Sequence, residues 1–391
     1  VLIKNCTLVN VKSGELISAA NILIEKGKVA VINQESSFQV PAGTEVTDGS
    51  GLFAIPGLID CHVHMVWDGS DDPNSVILGM DDELLAVATA KHAEATLKLG
   101  ITTIRDLGAP RNVGFAVREA IRRGLIAGPN FLIAGPPICM TGGHVHTLGV
   151  EADGVDAVRK ATRQLLKQGV DVIKLMASGG IYTEGEEPAS PQLNLDELTA
   201  AVEEAHKRNV KVAAHAEGVT GIRNALKAGV DTLEHGNLGD EKAWEMCVKQ
   251  GTYLSPTLVV FKYIAAAVGE GTPEFAVRKA QAMHKGQVNN FRKAVEMGVK
   301  IVVGTDAYSP RTPHECYFDE LKYMHELGMT KLAVLQAATV NAADALDRDD
   351  LGCIEPGKRA DLLLLSTNPL EDLDIGGKIV TIIKDGAVIT R

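Results

Sequence analysis

No apolar run in this sequence reaches the roughly 20 residues that a helix needs to cross a bilayer, so a helical membrane protein is not expected. The opening segment, VLIKNCTLVN, is too short and too polar for a signal peptide. The six cysteines, Cys6, Cys61, Cys139, Cys247, Cys316 and Cys353, form no CxxC pair and no small-domain disulfide spacing. Buried or neutral thiols in a reducing compartment are therefore expected, which places the protein in the cytoplasm. Excess positive charge is missing too: 39 Lys and Arg face 50 Asp and Glu, a formal net charge of -11. Without a basic groove or aromatic–basic interleaving, nucleic acid is not an expected partner. The acidic residues form no tail. Global sign leaves a small substrate open, because local charge in a pocket can oppose it.

What is present suits a globular enzyme. With 391 residues and 45% hydrophobic content, the chain can bury one large core and a small companion domain. Residues 1–55 read as short strands, VLIKNCTLV, SAANILIEKGKVAVI and TEVTDGSGLFAI, with no helical run between them. The far end repeats this style in RADLLLLS and KIVTIIKDGAVIT. Neither end can build a core alone, so the two are expected to pair as one β-sandwich.

Between them, strand patterns at GLIDCHVHM, TTIRDL, NFLIAG, DVIKLM, KVAAHA, TLEHG, TYLSP and IVVGTD alternate with amphipathic helical stretches. Several of those helices end at Gly just before the next strand, a usual αβ connection. The expected fold is α/β: a (β/α)₈ TIM-like barrel over residues 56–349, with residues 1–55 and 350–391 forming the small β-sandwich domain. A doubly wound sheet is the rival, but it gathers ligands at one switch point. Two long helices, from HECYFDELKYMHELG and TKLAVLQAATVNAADALD, are expected after the eighth strand.

Polar residues stand where the apolar strand patterns run out. His62 and His64 end the first run, Lys174 ends VDVIK, His215 ends VKVAAH, His235 ends VDTLEH, and Asp306 follows IVVGT. Residues two apart on a strand share a face, so His62 and His64 can enter one barrel mouth together. Asp306 is a candidate metal ligand and general base, with a helix N-cap as the plainer alternative. Lys174 is the least expected member, since an ammonium among cations is repelled. It either pairs with Asp171 or a substrate acid, or loses its proton and reacts with carbon dioxide to become an anionic ligand.

At this point the residues resemble the amidohydrolase superfamily, and within it the imidazolonepropionase-related and prolidase-like dipeptidase cluster. PGLIDCHVH, TTIRDLG, IKLMASGG, HAEG, LEHG, GTDA, TVNAA and LGCIEPGKRADLLLL carry the resemblance over essentially the whole chain. It implies two divalent metal ions, with zinc as first choice. His62, His64 and Asp306 would hold one ion, His215 and His235 the other, with N6-carboxylated Lys174 and a shared hydroxide between them. Because imidazolonepropionases look mononuclear and lack such a lysine, VIKLMASGG points to the dipeptidase-like branch. A homo-oligomer is implied by the same resemblance.

His144, in CMTGGHVH, is the candidate donor to a developing oxyanion or to substrate, with His146 as its support or simply facing solvent. For a dipeptide carboxylate the candidate contacts are His144, Tyr182, Arg105 and Arg311. Arg105 has a competing structural role, pairing with Asp106. Glu184, Glu186 and Glu187 can greet an amino group or be solvated loop charge, and Tyr263 can line the mouth or pack in the core. The expected reaction is hydrolysis of an L-Xaa-L-Pro dipeptide. Cleavage before Arg or Lys, N-acyl amino acids, and cyclic amides such as lactams or imidazolones are the alternatives. A metal-bound scaffold without catalysis is disfavoured, because no ligand is missing.

Overall fold

A computed structural model describes residues 1–35 and 43–390. Both ends of the chain enter one eight-stranded sheet. Its path runs Ala387–Ile389, Ile379–Lys384, Leu362–Leu365, Phe53–Pro56, Leu2–Val9, Leu16–Glu25 and Lys28–Asn33, with Val46–Asp48 also beside Leu2–Val9. The join between the termini is antiparallel, Leu363 opposite Ile55 and Leu364 opposite Ala54.

Strand Leu362–Leu365 is apolar at every position because both of its faces are covered. Leu362 and Leu364 belong to a cluster with Ile3, Ile22, Val29 and Ile383, drawn from strands along the whole sheet. For those strands to meet, the sheet must curl, and the turns do touch: Ala360 N donates to Gly27 O at 2.9 Å, and Gly386 packs on Gly27. Leu363 and Leu365 face the other way, into the main core with Leu58, Ile101 and Leu97. The small sheet is therefore fused to the central unit through alternate residues of its own strands.

The middle of the chain supplies two parallel sheets. One is Leu58–Val63, Ile101–Asp106 and Asn130–Ile133; the other runs Val150–Glu151, Ile138–Cys139, Val172–Met176, Lys211–Ala216, Thr232–His235, Tyr253–Ser255 and Lys300–Ile301. Backbone bonds cross between them on either side, from Asp171 N to Ile133 O on one and from Cys61 N to Val303 O on the other, each 2.9 Å, the second joined by a bridge between Val63 and Ala307. The apolar strand runs read from the sequence all appear. The last is shortened to Lys300–Ile301, because Val303 N turns to Ala337 O instead of continuing the ladder.

Helices fill the connections for legible reasons. Leu195–His206 begins with a full capping box, Asn194 accepting from Glu197 N while the Glu197 side chain accepts from Asn194 N. Val155–Gln168 and Val219–Ala228 end at Gly169 and Gly229, both left-handed, which only glycine adopts without strain. Val113–Arg122 fills the connection between the second and third strands, as the alternation implies, while Pro73–Leu78 and Leu258–Ala266 add to it. The last reads LVVFKYIAA and has no polar face to set a period. The expected long final helix is two, Lys331–Ala337 and Val340–Ala345, broken at Thr339, whose Oγ1 donates back to Leu335 O. None of the described helices is long and apolar enough to cross a membrane, and all six cysteines are free and buried.

Truncating either face of the joining strand is expected to unfold more than the small sheet. Leu363→Ala and Leu364→Ala should each cost about 2–5 kcal/mol, read as a lower urea midpoint by a signal from the central unit.

Candidate active site

The sites expected from the strand ends meet in one cavity. His62, His64, Lys174, His215, His235 and Asp306 all line it. Neighbouring imidazole centroids lie 5.4 Å apart for His62–His64, 5.0 Å for His62–His235 and 4.6 Å for His215–His235. Asp306 Oδ1 stands 3.6 Å from His62 Nε2 and 3.5 Å from His64 Nε2. One nitrogen each from His62 and His235, with a carboxylate oxygen of Asp306, fall within 4.8 Å of one another.

Each of the four rings is tied by one nitrogen to an acceptor outside the cluster. His62 Nδ1 meets Glu234 Oε2 at 2.9 Å, His64 Nδ1 meets Gly108 O at 3.1 Å, and His235 Nδ1 meets Thr257 Oγ1 at 2.7 Å. His215 uses its other nitrogen, Nε2, against Gly179 O at 2.9 Å. For His62, His64 and His215 the carbonyl or carboxylate demands an N–H, so the remaining nitrogen keeps its lone pair, while the Thr257 hydroxyl suits either form of the His235 ring. Burial removes the competing protonated form: it lowers His64 to about 3 and carries His62, His215 and His235 well below the usual imidazole value. Neutral rings with one lone pair each, beside a carboxylate, are a donor set that fits a divalent cation.

Lys174 is buried, and desolvation lowers its amine to about 8 against the opposing pull of Glu234 and Asp306. Asp171 does not pair with it; that carboxylate accepts from Arg118 at 2.6 Å and from Ile133 N at 2.9 Å. Asp306 is raised to about 6, again chiefly by burial. The backbone is strained here. His235 has φ 70° and Asp306 φ 58°, left-handed values that cost a non-glycine residue about 1–3 kcal/mol. Hydrogen bonds hold both, Gly236 N to Ala216 O at 3.1 Å and Asp306 N to His62 O at 2.8 Å.

Two residues expected to touch substrate do not reach the cavity. Arg105 is 1% exposed and fully used: Nε donates to Cys61 O at 2.6 Å, one terminal nitrogen to Thr232 Oγ1 at 3.0 Å and the other to Glu234 Oε1 at 2.9 Å. Nor does it pair with Asp106, which accepts from Met65 N and Gly108 N, both at 3.0 Å. Arg311 sits outside the lining, bonded to Asp71 at 2.6 Å and Glu270 at 3.0 Å. Thr272 joins Asp71 at 2.7 Å, so this cluster latches three loops together.

His144 and Tyr182 do line the cavity. Tyr182 presents its ring, since its hydroxyl donates to Asp71 O at 2.5 Å. His144 is clamped by the loop that follows Lys174. Its Nδ1 meets Glu186 Oε1 at 2.9 Å and its backbone N–H reaches Gln192 Oε1 at 3.0 Å. A Cβ on Gly180 would lie 2.2 Å from His144 Cε1, so that glycine makes room for the ring. Glu187 pairs instead with Arg278 and Glu184 is exposed. His146 faces solvent with its ring on Gly143 O, and Tyr263 donates to Asp319 outside the cavity.

Three acids went unread in the sequence. Glu234, just before His235, is buried between Arg105 and His62. Its signal was a pair of opposite charges inside otherwise apolar strands. Glu320 accepts from Leu258 N and Val259 N at 2.9 and 2.8 Å, seating the helix that starts after Thr257, the partner of His235. Glu217, in HAEG, lines the cavity at 1% exposure with Oε2 lacking a partner, and burial drives its carboxyl well above the usual range.

Glu234→Ala would strand Arg105 as an unpaired buried cation, costing about 3–5 kcal/mol, and would release the His62 ring. A lower thermal midpoint in calorimetry and about 10- to 100-fold weaker retention of divalent metal in chelator competition are expected.

The amidohydrolase family pattern matches residues 53–389. Ochratoxinase from Aspergillus niger is 34% identical over 352 residues, 82% of this chain and 72% of that protein. Among solved structures, a Xaa-Pro dipeptidase with methionine bound in its active site aligns with TM-score 0.92 and 32% identity, covering 99% of both chains. A prolidase complexed with N-methylphosphonate-L-proline aligns with TM-score 0.92 and 28% identity over 100% of this chain and 99% of that one. Matched across most of its length, and carrying a cavity of buried imidazoles beside a carboxylate, the chain belongs to the amidohydrolase family and is a hydrolase.

Proposed function

We propose that this hydrolase cleaves L-Xaa-L-Pro dipeptides, a prolidase-like reaction, at a site for two divalent cations, with zinc as first choice. In this reading His62, His64 and Asp306 would hold one cation, His215 and His235 would hold the other, and Lys174, carboxylated on Nζ, would add an anionic ligand. The support is the donor set itself: tethered neutral imidazoles, a carboxylate, and a buried lysine whose neutral amine, the form that takes up carbon dioxide, is within reach near pH 8. Bound there, such ions supply Lewis acidity and lower the pKa of water.

The chain's own groups divide the remaining work. Asp306 takes the proton of the attacking water and returns it to the departing nitrogen. His144, whose Nδ1–H goes to Glu186, donates from Nε2 toward the carbonyl oxygen as negative charge develops on it when both ring nitrogens carry hydrogen, a form the Glu186 carboxylate favours. Trp67, Met176, Ile181, Val260 and Phe261 supply an apolar wall that excludes water and suits a pyrrolidine ring. The observation that carries the peptidase reading is the likeness to a Xaa-Pro dipeptidase over 99% of both chains.

The same reading takes the parallel strands as a (β/α)₈ barrel over residues 56–349 and the two ends, 1–55 and 350–391, as a β-sandwich. Backbone bonds across both margins of the parallel sheets support the first, and the cluster shared by strands of the curled terminal sheet supports the second. A cytoplasmic homo-oligomer completes it, supported by the six free buried thiols for the compartment.

Elemental analysis should find close to two divalent ions per chain, and Asp306→Asn should abolish hydrolysis with the fold intact. Turnover retained in that variant defeats the proton role. A library varied at each dipeptide position, with N-acyl amino acids and lactams beside it, should favour proline at the second position; activity confined to a lactam sinks the peptidase reading. Gly180→Ala, which forces the His144 ring aside, should lower kcat by about 10²–10³ with metal content unchanged.

A further inference from the structure

One buried acid in the cavity has no task in the chemistry above. Glu217 is 1% exposed, lines the cavity, and leaves Oε2 without a hydrogen-bond partner. The other acids around it are engaged: Glu186 holds His144, and Asp306 faces His62 and His64. Its backbone is secured independently, N–H to Ser178 Oγ at 2.9 Å and carbonyl from Leu238 N at 2.9 Å, so the side chain is not needed to hold the loop. An unsatisfied carboxylate at such depth is costly unless a ligand completes it. The ligand group it completes with is a donor, and a cationic nitrogen is the strongest.

We propose that Glu217 is a specificity-determining residue that receives the free α-ammonium of the substrate's N-terminal residue. The proposal rests on the dipeptidase reading and deepens it, because it selects free dipeptides over N-acylated amino acids.

Distance decides which cationic nitrogen is meant. Glu217 lines the same cavity as the histidine cluster, with Oε1 3.6 Å from His215 Nε2, the ring nitrogen that also meets Gly179 O. An α-nitrogen is two bonds from the scissile carbonyl carbon, about 2.5 Å, so every free dipeptide brings its ammonium into this cavity together with the bond to be cut. The cation of an Arg or Lys at the second position hangs at the end of a long stem on the far side of the scissile bond. Ile181, Val260 and Ile264 of the same cavity carry no side-chain acceptor.

Calorimetry on the metal-loaded protein with L-methionine and N-acetyl-L-methionine tests this directly. Wild type should bind the free amino acid about 10- to 100-fold more tightly, the worth of a charge-assisted hydrogen bond. Glu217→Gln, nearly isosteric, should erase that preference by weakening L-methionine alone, and Glu217→Asp should recover part of it. Metal content and thermal midpoint, measured on both variants, should match wild type. Equal weakening of both probes, no weakening of either, or a wild type that binds neither or prefers the acetylated probe overturns the proposal. Turnover of Met-Pro, N-acetyl-Met-Pro and Met-Arg is scored separately: no hydrolysis of any peptide defeats the peptidase reading, while a preference for Met-Arg lost in Glu217→Gln moves the carboxylate to the other end of the substrate and overturns the assignment made here.

Discussion

Four of the five imidazoles that line this cavity converge because each one gives a ring nitrogen to an oxygen beyond the cluster. Without those tethers, buried neutral rings would satisfy one another or turn away, and no set of lone pairs would converge. The oxygens come from different places: a carboxylate on a strand of the other parallel sheet, two backbone carbonyls, and a threonine hydroxyl at a helix start. The most demanding is Glu234, which is buried and brings Arg105 with it. Arg105 in turn holds Cys61 O, the carbonyl between Asp60 and His62 in the same strand. The pair thus neutralises itself while fixing both the ring and the backbone that presents it. A buried ion pair contributes little net stability, and its worth here is geometric.

Charge and apolar packing meet at two other levels. Asp60, buried in the first parallel strand, accepts from His62 N, Thr305 N, Thr305 Oγ1 and His314 Nε2. It therefore ties the strand that carries His62 to the segment that carries Asp306. Further out, the small sheet interlocks with the main core through alternate leucines of one strand. The strained backbones at His235 and Asp306 are tolerated because these surroundings over-determine them.

Much of this was readable in advance. Apolar runs interrupted at His62, His64, Lys174, His215 and His235 stood out, and parallel strands bring such positions to one side, although the strand that carries Lys174 continues to Met176. Helices that end in Gly169 and Gly229 were equally plain. The helix Leu258–Ala266 was not, since Lys262 and Tyr263 alone interrupt an apolar run and set no period. The break at Thr339 was hidden because a threonine that bonds back to its own helix leaves no mark in composition.

The sequence by itself determined the order of strands and helices, the pairing of the two chain ends, and the group of side chains at the strand termini. Those follow from local periodicity and from burial, which each segment carries within itself. Only the tertiary structure decided what each charged residue does. Arg105 and Arg311 read as substrate contacts, yet each is consumed by acids distant in the chain, Glu234 in one case and Asp71 with Glu270 in the other. Glu217 stood unremarked inside HAEG, yet among the described residues its Oε2 finds no hydrogen-bond partner. A charge is defined by its partner, and partners more than a hundred residues away are assigned by packing, which no local pattern encodes.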